Sequence, residues 1–387
     1  MADDNITYGA QVDSEQLAKS LLHVLENNLK LEQSFAKQNP GAKPKRPTPI
    51  CIWGTHGIGK TSMINAFAQE RGWKMKYIAP AQFEEMGDLH GLPLKFDPNP
   101  EVVGDEVTMY VPPEWVPKKD EVGPGILVID DINRADDRIL RGIMQLLQNF
   151  EMFSWSLPPE WQIVCTANPE GGDYSVTSMD DAMLTRFLHF TMVFDVKAWA
   201  IWAVSAGVDP RGIAFVLTYP EMITGKRTTA RTLTQFFDQI SPIENLKADI
   251  ELVHVLAQGS LDSITATTFL AFVNDELESL MDPVDILNAK DFKPIGERIH
   301  KLATGKGDAK RVDRIATICT RLYLYLSSDK YVSKPNHKDN LVSFLMLEDI
   351  PGDLRFSLHK DLVNLGGKVA EAVRDQKLAK LVLSNVV

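Results

Sequence analysis

Leucines at positions 17, 21, 25 and 29 recur at the spacing of one helix face. The pattern starts at Ser14, a residue suited to capping, so Ser14 to about Gln38 is expected to form an N-terminal helix with one buried side. The stretch from Asn39 to Pro49 carries prolines at 40, 44, 47 and 49 with Lys43, Lys45 and Arg46 between them. Proline removes the amide donor and fixes φ, so no helix continues through it, and its cations read as a solvated connector. From residue 50 onward, short apolar runs alternate with helical periods, which is the signature of crossover units laid on a mostly parallel sheet. Strands are expected at Ile50–Trp53, Lys74–Ile78, Ile126–Ile129, Gln162–Thr166 and Leu188–Phe194, with helical periods near Thr61–Glu70, Asp137–Asn149 and Asp180–Thr185. Beyond Val196 the pattern turns helical almost to the end. The expected organisation is an N-terminal helix and linker over 1–49, an α/β domain over 50–196, a helical lid over 197–265 and a helical region over 266–387.

Composition narrows the classes. The 387 residues suffice for two or three compact units, and 41 basic against 52 acidic residues leave a net charge of −11. That balance gives no general attraction to a phosphate backbone or an anionic membrane, so nucleic acid is a demoted partner. No apolar run approaches the roughly 20 residues that cross a bilayer, and the polar start lacks the charged and apolar regions of a secretion signal. The expected compartment is the cytoplasm. Cys51, Cys165 and Cys319 stand far apart with no metal-ligand spacing, and they read as buried thiols.

Gly54-Thr55-His56-Gly57-Ile58-Gly59-Lys60-Thr61 matches GxxxxGK[ST] between an expected strand and an expected helix, the context that this phosphate-binding loop requires. Glycines let the backbone N–H groups close on phosphate oxygens, and the helix that follows, starting near Ser62, turns its positive dipole end to the same anion. Lys60 is placed to reach the β- and γ-phosphates of ATP, and the Thr61 hydroxyl to meet Mg2+. His56 reads as a loop side chain without a task. Some 70 residues later the run Ile126–Ile129 ends in Asp130 and Asp131. Asp130 is expected to hold magnesium, and Asp131 to orient or polarise the attacking water.

Further motifs resemble the AAA+ ATPases, in particular their MoxR-like, dynein-related branch. Asp131-Ile132-Asn133-Arg134-Ala135 is similar to that branch's "DEINRA" segment, and Cys165-Thr166-Ala167-Asn168-Pro169 to its sensor 1 strand end. Ser178 to Phe187 is similar to "LPEALLDRF", Thr229-Ala230-Arg231-Thr232-Leu233 to the sensor 2 segment, and Asp88 to Pro93 to the "DLxGxP" stretch that precedes an insertion in the second helix. The resemblance covers about residues 50 to 270. It implies a P-loop NTPase core with a parallel sheet flanked by helices, a helical lid and a helical C-terminal region. It implies Asn168 at the γ-phosphate and the nucleophilic water, Arg186 acting on a neighbouring subunit's site, and Arg231 acting in cis. It also implies a ring homo-oligomer, most simply a hexamer, that remodels a protein client, with a von Willebrand factor A domain protein as a partner.

The sequence departs from the family twice: Ala230 replaces the proline of sensor 2, and Asp131 replaces a glutamate. One methylene less displaces the water-orienting oxygen, so either the backbone compensates or hydrolysis is slow. The alternatives to a remodelling ATPase are therefore an ATP-bound assembly switch with slow turnover and, against the acidic balance, a nucleic-acid motor. Arg134, Arg138 and Arg141 follow Asp131 and are equally placed to face a subunit interface. The two Pro-Pro-Glu-Trp segments, at 112–115 and 158–161, read as loop scaffolding, with a client-contacting surface as the alternative for the first.

Overall fold

The structure, a computed structural model, describes residues 6–99, 101, 104–171, 175–223, 227–276, 281–304, 310–328, 331–374 and 378. The chain divides into two compact units, Met1–Asp195 and Val196–Val387.

The first unit runs β1 (Ala10–Val12), α1 (Ser14–Gln38), β2 (Ile50–Trp53), α2 (Lys60–Arg71), β3 (Lys74–Ile78), α3 (Met86–His90), β4 (Leu92–Phe96), β5 (Val107–Val111), β6 (Gly125–Ile129), α4 (Asp137–Asn149), β7 (Glu151–Met152), β8 (Trp155–Ser156), β9 (Trp161–Ala167), α5 (Asp181–Leu184) and β10 (Leu188–Met192). Six of the strands form one sheet in the order β1-β10-β2-β9-β6-β3, and every pairing in it is parallel. Parallel strands need covered faces, which is why the central strands β2, β6 and β9 appear as largely apolar runs. Their side chains alternate strictly. Cys51, Trp53, Leu127, Ile129, Ile163 and Cys165 enter one core with the α4 residues Ile139, Ile143 and Leu147. Ile50, Ile52, Ile126, Val128 and Val164 enter the other with Leu17, Leu21 and Leu25 of α1 and Ile64 and Phe67 of α2. This is a P-loop α/β core: a parallel sheet flanked by helices.

Three local features differ from the sequence expectation. The cap of α1 is Asp13 rather than Ser14: its carboxylate accepts the Gln16 N–H at 2.8 Å, and the Gln16 side chain accepts the Asp13 N–H at 3.2 Å, a reciprocal capping box. The segment after α1 is not wholly solvated. Arg46 donates to the Leu157 and Pro158 carbonyls at 2.5 and 3.2 Å, lies over the Phe150 ring, and stands 3.6 Å from Glu32, whose side chain is only 4% exposed. Prolines stop the helix as expected, but they also aim Arg46 inward. Finally, β1 adds an edge strand to β10, and β4–β5 and β7–β8 form two antiparallel hairpins.

The second unit is helical from Val196–Ser205 to Gly367–Val373, with no strand among the described residues. Helices Pro210–Thr218, Ala230–Ile240 and Ser263–Ala271 share an aromatic cluster in which Phe215 and Phe236 meet Phe269 at centroid distances of 5.0 and 4.9 Å. The helices beyond residue 281 enclose a separate core around Ile286, Leu322, Phe344 and Leu362. All three cysteines are buried and unpaired, and burial pushes the Cys319 thiol up to about 12.

Burial raises the Glu32 carboxyl above its usual range, more than its backbone donor and Arg46 lower it. The folded state therefore holds that proton longer than the unfolded chain does. This component of stability is full below the unfolded pKa and is lost as pH rises through the higher folded one. Arg46→Ala strands the carboxylate and is expected to cost about 3–5 kcal/mol at neutral pH in urea unfolding. Adding Glu32→Gln should recover part of that loss and flatten the fall as pH rises above the usual carboxyl range.

Candidate functional site

Three strand ends define the site, because β2, β6 and β9 are neighbours in sequence of pairing and all end on the same side of a parallel sheet. Clefts outside such carboxyl ends are where α/β sheets take ligands. After β2 the chain turns through Gly54, Gly57 and Gly59 at φ of +154°, +73° and +100°. A Cβ on Gly54 would meet the Met192 carbonyl at 2.8 Å and the Ile58 Cδ1 at 2.9 Å, so only glycine fits there. Gly59 is the N-cap of α2 and has no side chain with which to satisfy its first-turn N–H groups. They are left for an anion.

Lys60 is 5% exposed, and its ammonium donates to the Gly54 and Thr55 carbonyls at 2.7 and 3.2 Å and to Asn168 Oδ1 at 3.3 Å. The loop thus carries its cation inside its own curve. Of the remaining loop residues, His56 and Ile58 are half-buried and Ser62 is exposed on the first turn of α2.

Asp130, directly after β6, collects three hydroxyls. Its Oδ1 accepts from Thr61 and from Thr166, each at 2.6 Å, and its Oδ2 accepts from Tyr77 at 2.9 Å. The Thr166 oxygen also accepts the Asp131 N–H at 2.8 Å, so one side chain of β9 fixes both carboxylate residues. Asp131 itself sits in the left-handed region at φ +48°, ψ +47°, an uncommon conformation for a residue with a Cβ. Its carboxylate pairs with Arg134 Nε at 3.2 Å.

Asn168, at the end of β9, is fully buried, and a second asparagine orients it: Asn133 Nδ2 donates to the Asn168 carbonyl at 2.8 Å, and the Asn168 N–H donates to Asn133 Oδ1 at 3.1 Å. With the backbone held from both sides, the Asn168 side chain accepts from Lys60 while its Nδ2 has no partner among the described residues. A buried amide donor without a partner costs free energy unless a ligand or water accepts from it.

One predicted residue stands apart from this group. Arg186, two residues past α5, donates to the Ala182 carbonyl and to Gln148 Oε1, the latter at 3.1 Å, and makes no contact with the loop among the described bonds. Arg231 belongs to the second unit, exposed on the first turn of Ala230–Ile240 behind the capping pair Thr229 and Thr232. The structure therefore brings together Gly54 to Thr61, Asp130, Asp131 and Asn168. Arg138 and Arg141 are taken up locally by Asp136 and Asp137. Sequence reading missed Tyr77, Asn133 and Thr166. Thr166 carried the one available signal, a hydroxyl in an otherwise apolar strand.

The residues fit a magnesium-bound nucleoside triphosphate on their own chemistry. A glycine cradle, an uncapped helix start, an enclosed ammonium and an unpartnered buried amide all call for phosphate oxygens. Thr61 and Asp130 present the hydroxyl and carboxylate oxygen that Mg2+ takes from a protein in such sites. Among the described residues no group of three or more His, Cys, Asp or Glu could hold a metal without help, so phosphate and water would complete the shell. No helix of the described residues is long and apolar enough to cross a membrane.

No protein-family model matches this sequence, and no curated protein matches it. Solved structures do. The chain is similar to the Thermotoga maritima RuvB Holliday junction branch migration motor, with 17% identity over 72% of this chain and 76% of that one, at a TM-score of 0.33. Two variants of the same RuvB match with 14% and 15% identity, over 78% and 83% of this chain and 90% of theirs, at TM-scores of 0.35 and 0.37. The assignment of the site rests on the geometry above.

Thr166→Val keeps the side-chain volume and removes one hydroxyl. It leaves the Asp131 N–H unsatisfied, at about 1–3 kcal/mol, and takes one of three hydroxyl donors from the Asp130 carboxylate. We expect thermal unfolding to drop modestly and any nucleotide turnover, read as phosphate release, to fall at least tenfold; unchanged turnover would show that Thr166 positions neither residue.

Proposed function

We propose that this chain is an AAA+ ATPase of the MoxR-like, dynein-related kind that binds ATP with Mg2+, hydrolyses it in a ring homo-oligomer and thereby remodels a protein partner. The observation that carries the reading is the convergence of Lys60, Thr61, Asp130 and Asn168 on the glycine cradle, because these residues come from three strand ends and serve no common structural need. In this reading the β- and γ-phosphates lie along the loop N–H groups, with Lys60 turning from the Gly54 and Thr55 carbonyls to the phosphate oxygens. The metal, held through Thr61 and Asp130, supplies charge neutralisation on those oxygens. Asn168 spends its unpartnered Nδ2 on the γ-phosphate or the attacking water, and Asp131 takes up that water's proton.

Arg186 is supported as the neighbour's cation by its position: it lies outside its own chain's phosphate site, and only a glutamine side chain and a carbonyl hold it. A hexamer, a von Willebrand factor A partner and a protein client follow from the motif resemblance alone and stand as part of the proposal. Arg231 has the same standing in the second unit.

One observation favours the second reading, an assembly switch with slow turnover. Asp131 is shorter than the glutamate it replaces, and its carboxylate is engaged by Arg134. A carboxylate held by a cation at its own strand end is less free to turn to an attacking water.

Three measurements separate these outcomes. Lys60→Ala should abolish binding of a fluorescent ATP analogue in an anisotropy titration; retained affinity would defeat the phosphate assignment. Mixing Arg186→Ala with Asp131→Asn subunits should restore phosphate release that neither variant shows alone, and full activity of Arg186→Ala by itself rejects a shared site. Asp131→Glu leaves turnover within about threefold if Asp131 is a competent base, whereas a rise of tenfold or more would favour the switch.

A further inference from the structure

The β4–β5 hairpin presents an apolar face to solvent. Its register pairs Leu92 with Val111, Leu94 with Met109 and Phe96 with Val107. Residues directly opposite in an antiparallel pair share a face, so these six apolar side chains form one continuous strip. All are between 37% and 69% exposed. On the other face Pro93, Lys95 and Thr108 are exposed as well, and Tyr110, near the base, ties the hairpin to the body of the unit. Tyr110 stacks on Phe153 at 4.6 Å and donates its N–H to Ser154 Oγ at 3.0 Å. Beside it, a Cβ on Gly91 would meet the Val111 carbonyl at 1.8 Å, so strand and turn are locked together there. An exposed apolar strip on a hairpin anchored at its base is a surface open to a partner.

We propose that this strip docks one extended segment of another protein, with apolar side chains at alternate positions and lysine or arginine at the end that meets the hairpin turn. The dimensions select one segment. Five residues per strand and two strands give a strip about 17 Å long and about 10 Å wide, far below the roughly 800 Å² per partner of a stable interface between folded proteins. A single strand laid across it matches that width, and its alternate side chains fall between the three cross-strand pairs.

Charge selects the end group. The turn and its flanks carry Asp97, Glu101, Asp105 and Glu106, and the one cation between residues 91 and 113 is Lys95, already paired with Glu106 at 2.8 Å. A second copy of the hairpin would bring the same acids and no spare cation to that turn, so self-pairing meets uncompensated like charge. A basic segment completes it.

The inference does not depend on nucleotide turnover, and its test uses the full chain without nucleotide. The probe is a C-terminally fluorescein-labelled peptide of two lysines followed by four valine–threonine repeats, titrated by anisotropy. The native chain should bind it saturably and more weakly at high salt. Leu94→Asp and Met109→Asp should each weaken binding tenfold or more while thermal unfolding stays put, since both side chains are exposed. Asp97→Asn with Asp105→Asn should flatten the salt dependence. Absence of saturable binding by the native chain, equal affinity in the two aspartate variants, or a native oligomer that those variants dissociate would each overturn the proposal, the last by giving the strip to a second copy.

Discussion

Strand β9 is enclosed on every side: β2 and β6 pair along its two edges, and its side chains alternate into the two cores. That enclosure is the constraint on which the site depends. It places Thr166 against both carboxylates that follow β6, and Asn168 against the lysine that follows β2, so groups from separate segments meet without any loop having to reach across. Enclosure also excludes water. The Lys60 ammonium and the Asn168 amide therefore act through a medium that screens charge poorly, where a bond to phosphate is worth more than at a surface.

The same enclosure explains why the acid pair is asymmetric. Asp130 lies beneath three hydroxyls and is fixed, whereas Asp131 has stepped into a left-handed backbone conformation that turns its carboxylate to Arg134. Two adjacent residues of one type thus receive different environments from the strand beside them. The hydroxyl of Thr166 is common to both, donating to the Asp130 carboxylate and accepting the Asp131 N–H, which couples the positions of the two residues.

Much of this was legible in the sequence, and the reasons are specific. The central strands β2, β6 and β9 are buried on both faces, so they had to be written as largely apolar runs, and α4 begins and ends where its pattern does. Gly54 to Thr61 stood out because a turn with three glycines at positive φ tolerates few other residues. What escaped reading depends on distant contacts. Arg46 looks like any charge in a proline-rich stretch until Glu32 and two carbonyls near Leu157 are seen around it. Tyr77 and Asn133 work through partners 53 and 35 residues away. The edge strand Ala10–Val12 is too short and too polar to register, and β4–β5 is alternating in a form that ordinarily signals a buried face, whereas here that face points out.

Helix α1 rests on Ile50, Val128, Val164 and Met192, and β1 pairs with β10, so the elements of this unit that are synthesised earliest have their seats among its latest. At ordinary synthesis rates of 5–20 residues per second, the leucine face of α1 waits roughly 10–40 s for the strand that completes its bed. Until then it is an amphipathic helix with nothing to cover it. The unit closes end to end, in one late step dominated by long-range pairings of the kind that fold slowly, and the nascent chain is most in need of protection just before its phosphate cradle can exist.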